Sequence, residues 1–228
     1  MKLSVIIPVF NEADTIGHVI ASVLGCGIKD LELIIVNDCS SDQTAEQLAR
    51  YKNHPNIRVI HHATNRGKGA AIRTAQEYVT GGAVVVQDAD LEYDPADLPG
   101  LLESLAADRA DAVYGSRYGK GESKHDSFWH FLGNKALTKF SNLLSHLHLT
   151  DMETCYKMMR ADIFKELDLE CNRFGIEPEI TAKLARRGCR IEELPISYSA
   201  RRYEEGKKID WKDGVAAVWY IIKYNLFR

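Results

Sequence analysis

The chain has 228 residues, and its 29 Lys and Arg against 32 Asp and Glu leave a net charge of −3. That balance excludes a global pull toward nucleic acid, so a site for any polyanion has to be local. The length fits one domain, and 45% hydrophobic residues suffice for a sizeable core.

Residues 3–9 (LSVIIPV) are a short apolar run closed by Asn11 and Glu12, which predicts a buried strand. Residues 13–24 carry Ile16, Val19, Ile20, Val23 and Leu24 at helical spacing. A second strand at 31–36 (LELIIV) is cut off by NDCSSD, where Ser41 or Asp42 can cap a helix running through Leu48. The third strand is 57–61, followed by the glycine-containing loop Asn65 to Gly69 and a helix to about Tyr78. A fourth strand at 83–87 (AVVVQ) meets Asp88-Ala89-Asp90, a helix follows Pro95, and 111–115 (DAVYG) is a fifth strand. Strands alternating with helices through short connections define an α/β chain with a mostly parallel sheet covered on both faces.

The second half differs. Residues 128–149 have helical spacing and an unusual density of aromatics, a helix is predicted over 177–187, and 191–198 (IEELPISY) reads as a strand. The basic stretch RRYEEGKKIDWKDG leads into an apolar helical tail from Val215 to Phe227. The expected organisation is one domain over 1–228: a nucleotide-binding half (1–118), an acceptor half (119–210) and an amphipathic tail (211–228).

The acids after the fourth strand carry the first chemical signal. Ligands bind at the carboxyl ends of strands in parallel sheets, and residues i and i+2 of an extended segment point the same way. Asp88 and Asp90 can therefore share one divalent ion, Mg2+ or Mn2+, with Glu92 on the same parity as a third oxygen donor. Two acids in a solvated loop are the bland alternative. Asp38, after the second strand, either bonds a base or ribose or belongs to the helix cap of NDCSSD. In Asn65-Arg66-Gly67-Lys68-Gly69 the glycines permit close backbone approach and Lys68 offers a cation to a phosphate, although the Walker pattern is absent and such turns are often structural.

Five segments, SVIIPVFNE at 4–12, the strand ending in NDCSSDQT, NRGKGAA, DADLEYDP and YGSR, together resemble the family 2 glycosyltransferases, and more narrowly the dolichyl- or polyprenyl-phosphate hexose synthases. The resemblance runs from Ser4 to about Lys208. It implies a GT-A nucleotide-sugar transferase fold and an inverting, metal-dependent reaction. The donor would be GDP-mannose or UDP-glucose and the acceptor a lipid phosphate. It assigns Pro8, Phe10, Glu12, Val36 and Asp38 to the nucleoside, and Asp88, Ala89 and Asp90 to metal and diphosphate. It gives Arg117 a phosphate contact and makes Arg202 and Lys208 part of a basic loop closing over the phosphates. Asp151, in Thr150-Asp151-Met152-Glu153-Thr154-Cys155-Tyr156-Lys157, becomes a candidate to orient the acceptor or serve as base, and Glu177 and Glu179 fall near the acceptor. The chain departs from the family pattern at Phe10 (often Tyr), Asn37 (usually an acid), Glu92 (often Gln) and Lys207 (often Ser).

The five cysteines are odd in number and lack CxxC spacing, and no leader-like segment or run of about 18 apolar residues occurs, so a cytoplasmic protein with at most peripheral membrane contact is expected. The candidate contacts are Phe128, Trp129, Phe131 and Phe140 with Lys135 and Lys139, and the tail's Trp211, Trp219, Tyr220, Ile221, Ile222 and Phe227 with Lys212 and Lys223. Ordinary core packing is the alternative for both. A soluble sugar or protein acceptor, and a non-catalytic nucleotide-sugar sensor, are the rival functions. PVFNEAD after the first strand, in place of a glycine-rich arginine loop, disfavours a sugar nucleotidylyltransferase.

Overall fold

Apolar runs too short for helices dominate the first half, and the computed structural model resolves them as adjacent strands; it describes residues 1–118, 128–201 and 211–227, with the side chains of 128–130 and 211–213 outside that description. Strands β1 (Leu3–Val9), β2 (Leu31–Asn37), β3 (Ile57–His61) and β4 (Ala83–Val86) alternate with helices α1 (Ile16–Leu24), α2 (Thr44–Ala49) and α3 (Lys68–Gln76). A 3-10 turn at Pro95–Asp97, N-capped by Asp94, leads into α4 (Leu98–Ala106) and β5 (Ala112–Ser116). The second half holds α5 (Phe128–Ser145), β6 (Lys157–Arg160), α6 (Ala161–Glu166), α7 (Ile176–Arg186), β7 (Ile191–Pro195) and α8 (Trp211–Leu226).

Among the described residues seven strands form one sheet in the order β3-β2-β1-β4-β6-β5-β7. β1 pairs in parallel with β2 and β4, in register Leu3↔Leu31 and Leu3↔Ala83, and β2 with β3 and β5 with β7 are also parallel. The near-continuous apolar sequences of β1, β2 and β4 follow from burial on both faces. α1 covers one face by burying Ile16, Val19, Ile20 and Val23, the i, i+3, i+4, i+7 stripe of an amphipathic helix.

The strand that the sequence does not announce is β6. Its four residues, KMMR, are too short and too charged for a hydrophobic pattern, yet they run antiparallel between β4 and β5 and make the sheet mixed. Lys157, only 2% exposed, is tolerated there because its ammonium donates to the carbonyls of Met152 and Thr154 and lies over the Tyr114 ring. Burial still pushes that ammonium down to about 8, against the pull of Glu177, Glu153 and Asp151.

At the start of α2 Asp42 joins two segments. It accepts the Thr44 N–H through one carboxylate oxygen and the Ala13 N–H through the other. Strands are added in one direction from β1 to β3 and on the opposite side of β1 at β4, so a crevice opens at the carboxyl ends of β1 and β4. The loop before α3 closes on it through Gly67, whose φ of 93° lies in the left-handed region. A methyl group at Gly67 would also run into the carbonyl of Asn172. Gly67→Ala is therefore expected to lower unfolding stability by about 1–3 kcal/mol, read as a reduced urea midpoint with unchanged slope.

Candidate active site

The crevice is a cavity of about 500 Å3. Pro8, Phe10 and Glu12 reach it from the end of β1, Asp38 from β2, Lys68 from α3, and Asp88, Ala89, Asp90 and Glu92 from the segment after β4. The other half of its wall comes from Arg117 and Tyr118 after β5, Phe131 and Asn134 on α5, Glu153 before β6, and Glu177 on α7. The residues expected to form the nucleotide half thus converge, with Val36 the exception. Val36 has no exposed surface and does not line the cavity, because its position in β2, paired with Pro8, turns its side chain into the core.

Asp38 is only 3% exposed and its carboxylate is heavily engaged. It accepts the backbone N–H groups of Arg66 (2.9 Å) and Gly67 (2.6 Å) and pairs with His62 Nδ1 at 2.7 Å. One acid thereby folds the Asn65–Gly69 loop over the end of β2, a role the sequence did not disclose.

Lys68 sits between two carboxylates, 2.7 Å from Asp88 and 2.8 Å from Glu177. Burial works to discharge it, but Asp88 and then Glu177 outweigh that effect and hold the ammonium well above its ordinary range. Asp90 is placed differently: its carboxylate accepts the Glu92 N–H in a long 3.3 Å contact. Burial, then repulsion from Asp88 and Glu92, pushes its carboxyl up to about 7, against the pull of Arg201.

Two hard oxygen donors crowded together in a partly dry site are the donor chemistry that Mg2+ or Mn2+ takes. Glu92, expected as a third donor, is engaged within the protein. Its carboxylate accepts the Tyr198 hydroxyl at 2.9 Å and the Arg201 N–H at 2.8 Å, and no group of three His, Cys, Asp or Glu side chains among the described residues is placed to share an ion. Glu92 instead fastens the segment that leads into the basic loop, while Arg201 reaches back to Glu12 at 2.8 Å. Arg202 and Lys208 lie outside the described residues. Sequence reasoning missed Arg201; the paired arginines were its signal.

Arg117 and Asp151 form the other strong interaction. Asp151 has no exposed surface, and it accepts from Arg117 Nε (2.7 Å), Nη2 (2.8 Å) and the backbone N–H (3.0 Å). Burial raises the Asp151 carboxyl, but Arg117 outweighs it and the net shift is downward. The base role considered for Asp151 is corrected accordingly: the carboxylate is spent on Arg117 and does not line the cavity. It positions the guanidinium, over which Tyr198 lies at 5.2 Å. Glu179 is corrected as well. It is fully buried and accepts the N–H groups of Glu170 and Cys171, whereas Glu177, two residues earlier, does line the cavity.

Phe131 lines the cavity with its ring 5.2 Å from that of Tyr118, Phe140 packs on the core, and Lys135 donates to the Thr150 carbonyl over the Tyr118 ring. The side chains of Phe128, Trp129, Trp211 and Lys212 lie outside those described. α8 buries Ala217, Ile221 and Tyr224 and exposes Val215, Val218, Trp219 and Leu226, and Phe227 just beyond it is exposed too. No helix among the described residues is long and apolar enough to cross a membrane.

A mixed α/β sheet with an Asp-Ala-Asp turn at its switch point defines the GT-A class of nucleotide-sugar transferase folds. The chain belongs to glycosyl transferase family 2, whose profile matches residues 4–168. An undecaprenyl-phosphate mannosyltransferase of Micrococcus luteus is 29% identical over 91% of this chain and 87% of that protein. A dolichol-phosphate mannosyltransferase of Pyrococcus furiosus is 26% identical over 91% of this chain and 59% of that one. In structure, glucosyl-3-phosphoglycerate synthase of Mycobacterium tuberculosis, solved with Mn2+, UDP and glucosyl-3-phosphoglycerate, matches with a TM-score of 0.75 at 18% identity, over 98% of this chain and 80% of that one.

Removing Asp151 would strand a buried guanidinium. Asp151→Ala is expected to cost about 3–5 kcal/mol of unfolding stability, measured by urea denaturation. Full stability with abolished turnover would return Asp151 to the role of a base.

Proposed function

We propose that the chain transfers a hexose, mannose or glucose, from a nucleotide-sugar to a polyprenyl or dolichyl phosphate, with inversion at the anomeric carbon. The observation that carries this reading is one cavity lined by both acids and a buried cation. Asp88 and Asp90, after β4, line it and would supply oxygen ligands, and Arg117, after β5 and fixed by Asp151, lines it with a cation. The names of the M. luteus and P. furiosus relatives support the lipid-phosphate acceptor and favour mannose.

The donor half is 1–118 and the acceptor half 119–210. Phe10 and Pro8 would contact the nucleoside, with Asp38 shaping the loop beside it. Asp88 and Asp90 would hold Mg2+ or Mn2+, which when bound offsets charge developing on the leaving diphosphate. Arg117 would hold the acceptor phosphate against the donor, and Arg202 and Lys208 would add positive charge over both. A phosphate monoester brings an oxygen already ionised near neutral pH, so its attack on the anomeric carbon needs no strong base. The commitment of Asp151 to Arg117 agrees with that chemistry. The exposed stripe of α8 would rest on the membrane that carries the acceptor.

The direct test mixes the protein and Mg2+ with radiolabelled GDP-mannose or UDP-glucose and polyprenyl phosphate, then partitions the product. Label in the organic phase, lost on chelation and reduced at least about 100-fold by Asp90→Ala, is the expected outcome. Label only in water-soluble product would move the acceptor to a soluble sugar or protein. Trp219→Glu is expected to reduce co-sedimentation with anionic lipid vesicles while leaving nucleotide binding unchanged; equal sedimentation of both proteins would remove α8 from the membrane surface.

A further inference from the structure

Among the described residues, Glu153 Oε1 is the buried side-chain oxygen that has no hydrogen-bond partner. Leaving a carboxylate oxygen dry and unpaired is costly, and such atoms in folded proteins ask for an explanation. The surrounding cations do not supply one. Lys157 donates to the Met152 and Thr154 carbonyls, Lys68 is held by Asp88 and Glu177, and Arg117 is clamped on Asp151. The turn that carries Glu153 is also rigid. On its C-terminal side Thr154 Oγ1 donates to the Gly115 carbonyl at 2.6 Å and the Cys155 N–H donates to Tyr93 Oη at 3.0 Å. On its N-terminal side the Met152 N–H donates to Thr138 Oγ1 at 3.1 Å. The carboxyl is thus held at the cavity wall rather than tucked into a partner.

Strand order says what it would meet. Phe10 and Asp38 follow β1 and β2, Asp88 and Asp90 follow β4, and Glu153 precedes β6, the next strand in the sheet. A nucleotide-sugar laid along this edge with its nucleoside at β1–β2 and its diphosphate at β4 brings its hexose to the β6 side. The acceptor phosphate is assigned to Arg117, and a hydrocarbon chain has no donor to offer. Sugar hydroxyls are uncharged and donate hydrogen bonds.

We propose that Glu153 reads the transferred sugar, its carboxylate accepting a hydrogen bond from a hydroxyl of the hexose. The inference rests on the nucleotide-sugar reading above and deepens it by naming a specificity-determining residue. The carboxyl's elevated position, pushed up to about 7 by burial and then by Glu177, agrees with a group lacking a partner of its own.

Glu153→Met and Glu153→Gln separate this role from a structural one. Calorimetry with Mg2+ would compare GDP-mannose and UDP-glucose with GDP and UDP on each protein. Glu153→Met is expected to weaken the preferred nucleotide-sugar about tenfold or more and to leave the nucleoside diphosphate within about twofold. Glu153→Gln, which keeps one acceptor oxygen, should lose less. Monodeoxy-sugar donors provide the second measurement: removing the recognised hydroxyl should weaken binding to the natural protein and make little difference to Glu153→Met. Thermal unfolding of Glu153→Met should be no lower than that of the natural protein, since an unpaired buried acid has been removed. Equal losses for nucleotide-sugar and nucleoside diphosphate, or a lower melting point, would show a structural residue and overturn the inference. Unchanged nucleotide-sugar binding with lost turnover would place Glu153 on the acceptor and overturn it too. Failure of the natural protein to bind any of the four nucleotides would strike the transferase reading itself.

Discussion

Charge withdrawn from water has to be matched inside the protein, and in this chain that requirement organises the floor of the cavity. Asp151 meets Arg117, Lys157 is wrapped by carbonyls, and Glu177 and Asp88 share Lys68. Each of these groups comes from a different element: the ends of β4 and β5, the turn before β6, β6 itself, and the first turns of α3 and α7. Pairing them fixes the relative placement of the two halves of the sheet. Hydrophobic burial alone would not, since it is indifferent to small rotations of one element over another. Removing one partner is costlier than the pair is stabilising, because the survivor stays buried. Four of these groups, Asp88, Lys68, Arg117 and Glu177, also line the cavity.

Asp38 applies the same logic to a loop. Its two oxygens are satisfied by the N–H groups of Arg66 and Gly67, and these amides would otherwise sit unpaired at the entrance to α3. The arrangement needs the left-handed backbone of Gly67, and it delivers Lys68 to Asp88. An acid after β2, a glycine 29 residues later and a lysine beside it thus form one device.

The parts of the fold set by periodicity were legible in the sequence. β1 and β3 fall where their apolar runs lie, and the stripe of α1 is the one its spacing foretells. β6 was not legible, because a strand completed by neighbours on both sides needs no pattern of its own and Lys157 masks it. In the site, type and position at a strand end pointed to the acids after β4, whereas Arg117 came only from the family resemblance. What each acid bonds did not follow. Asp151 and Glu153 stand two apart in the same segment, yet one is consumed by three donors and the other keeps an unpaired oxygen. Glu177 and Glu179 repeat the lesson on α7, where one faces the cavity and the other the backbone of Glu170 and Cys171. Which oxygen is left over depends on the donors that arrive from distant strands, and a linear pattern does not contain them.

The tail shows how one helix can serve three surfaces. A period of 3.6 residues allows α8 to turn Ile221 and Tyr224 to the core, Gly214 and Ala217 to the cavity, and Val215, Val218 and Trp219 outward. Small residues are required on the cavity side, where bulk would fill it, and apolar ones on the core side. Neither constraint reaches the outward stripe, so its Val, Trp, Leu and Phe residues are unexplained by folding and carry a hydration cost in water. Tyr220 packs against Gly175, the residue that opens α7, and Glu177 stands in the first turn of that helix. Contact on the outer stripe of α8 is therefore one helix removed from the carboxylate that holds Lys68. The exposed surface and the cavity are joined through α7 by packing that leaves no room for a side chain at Gly175.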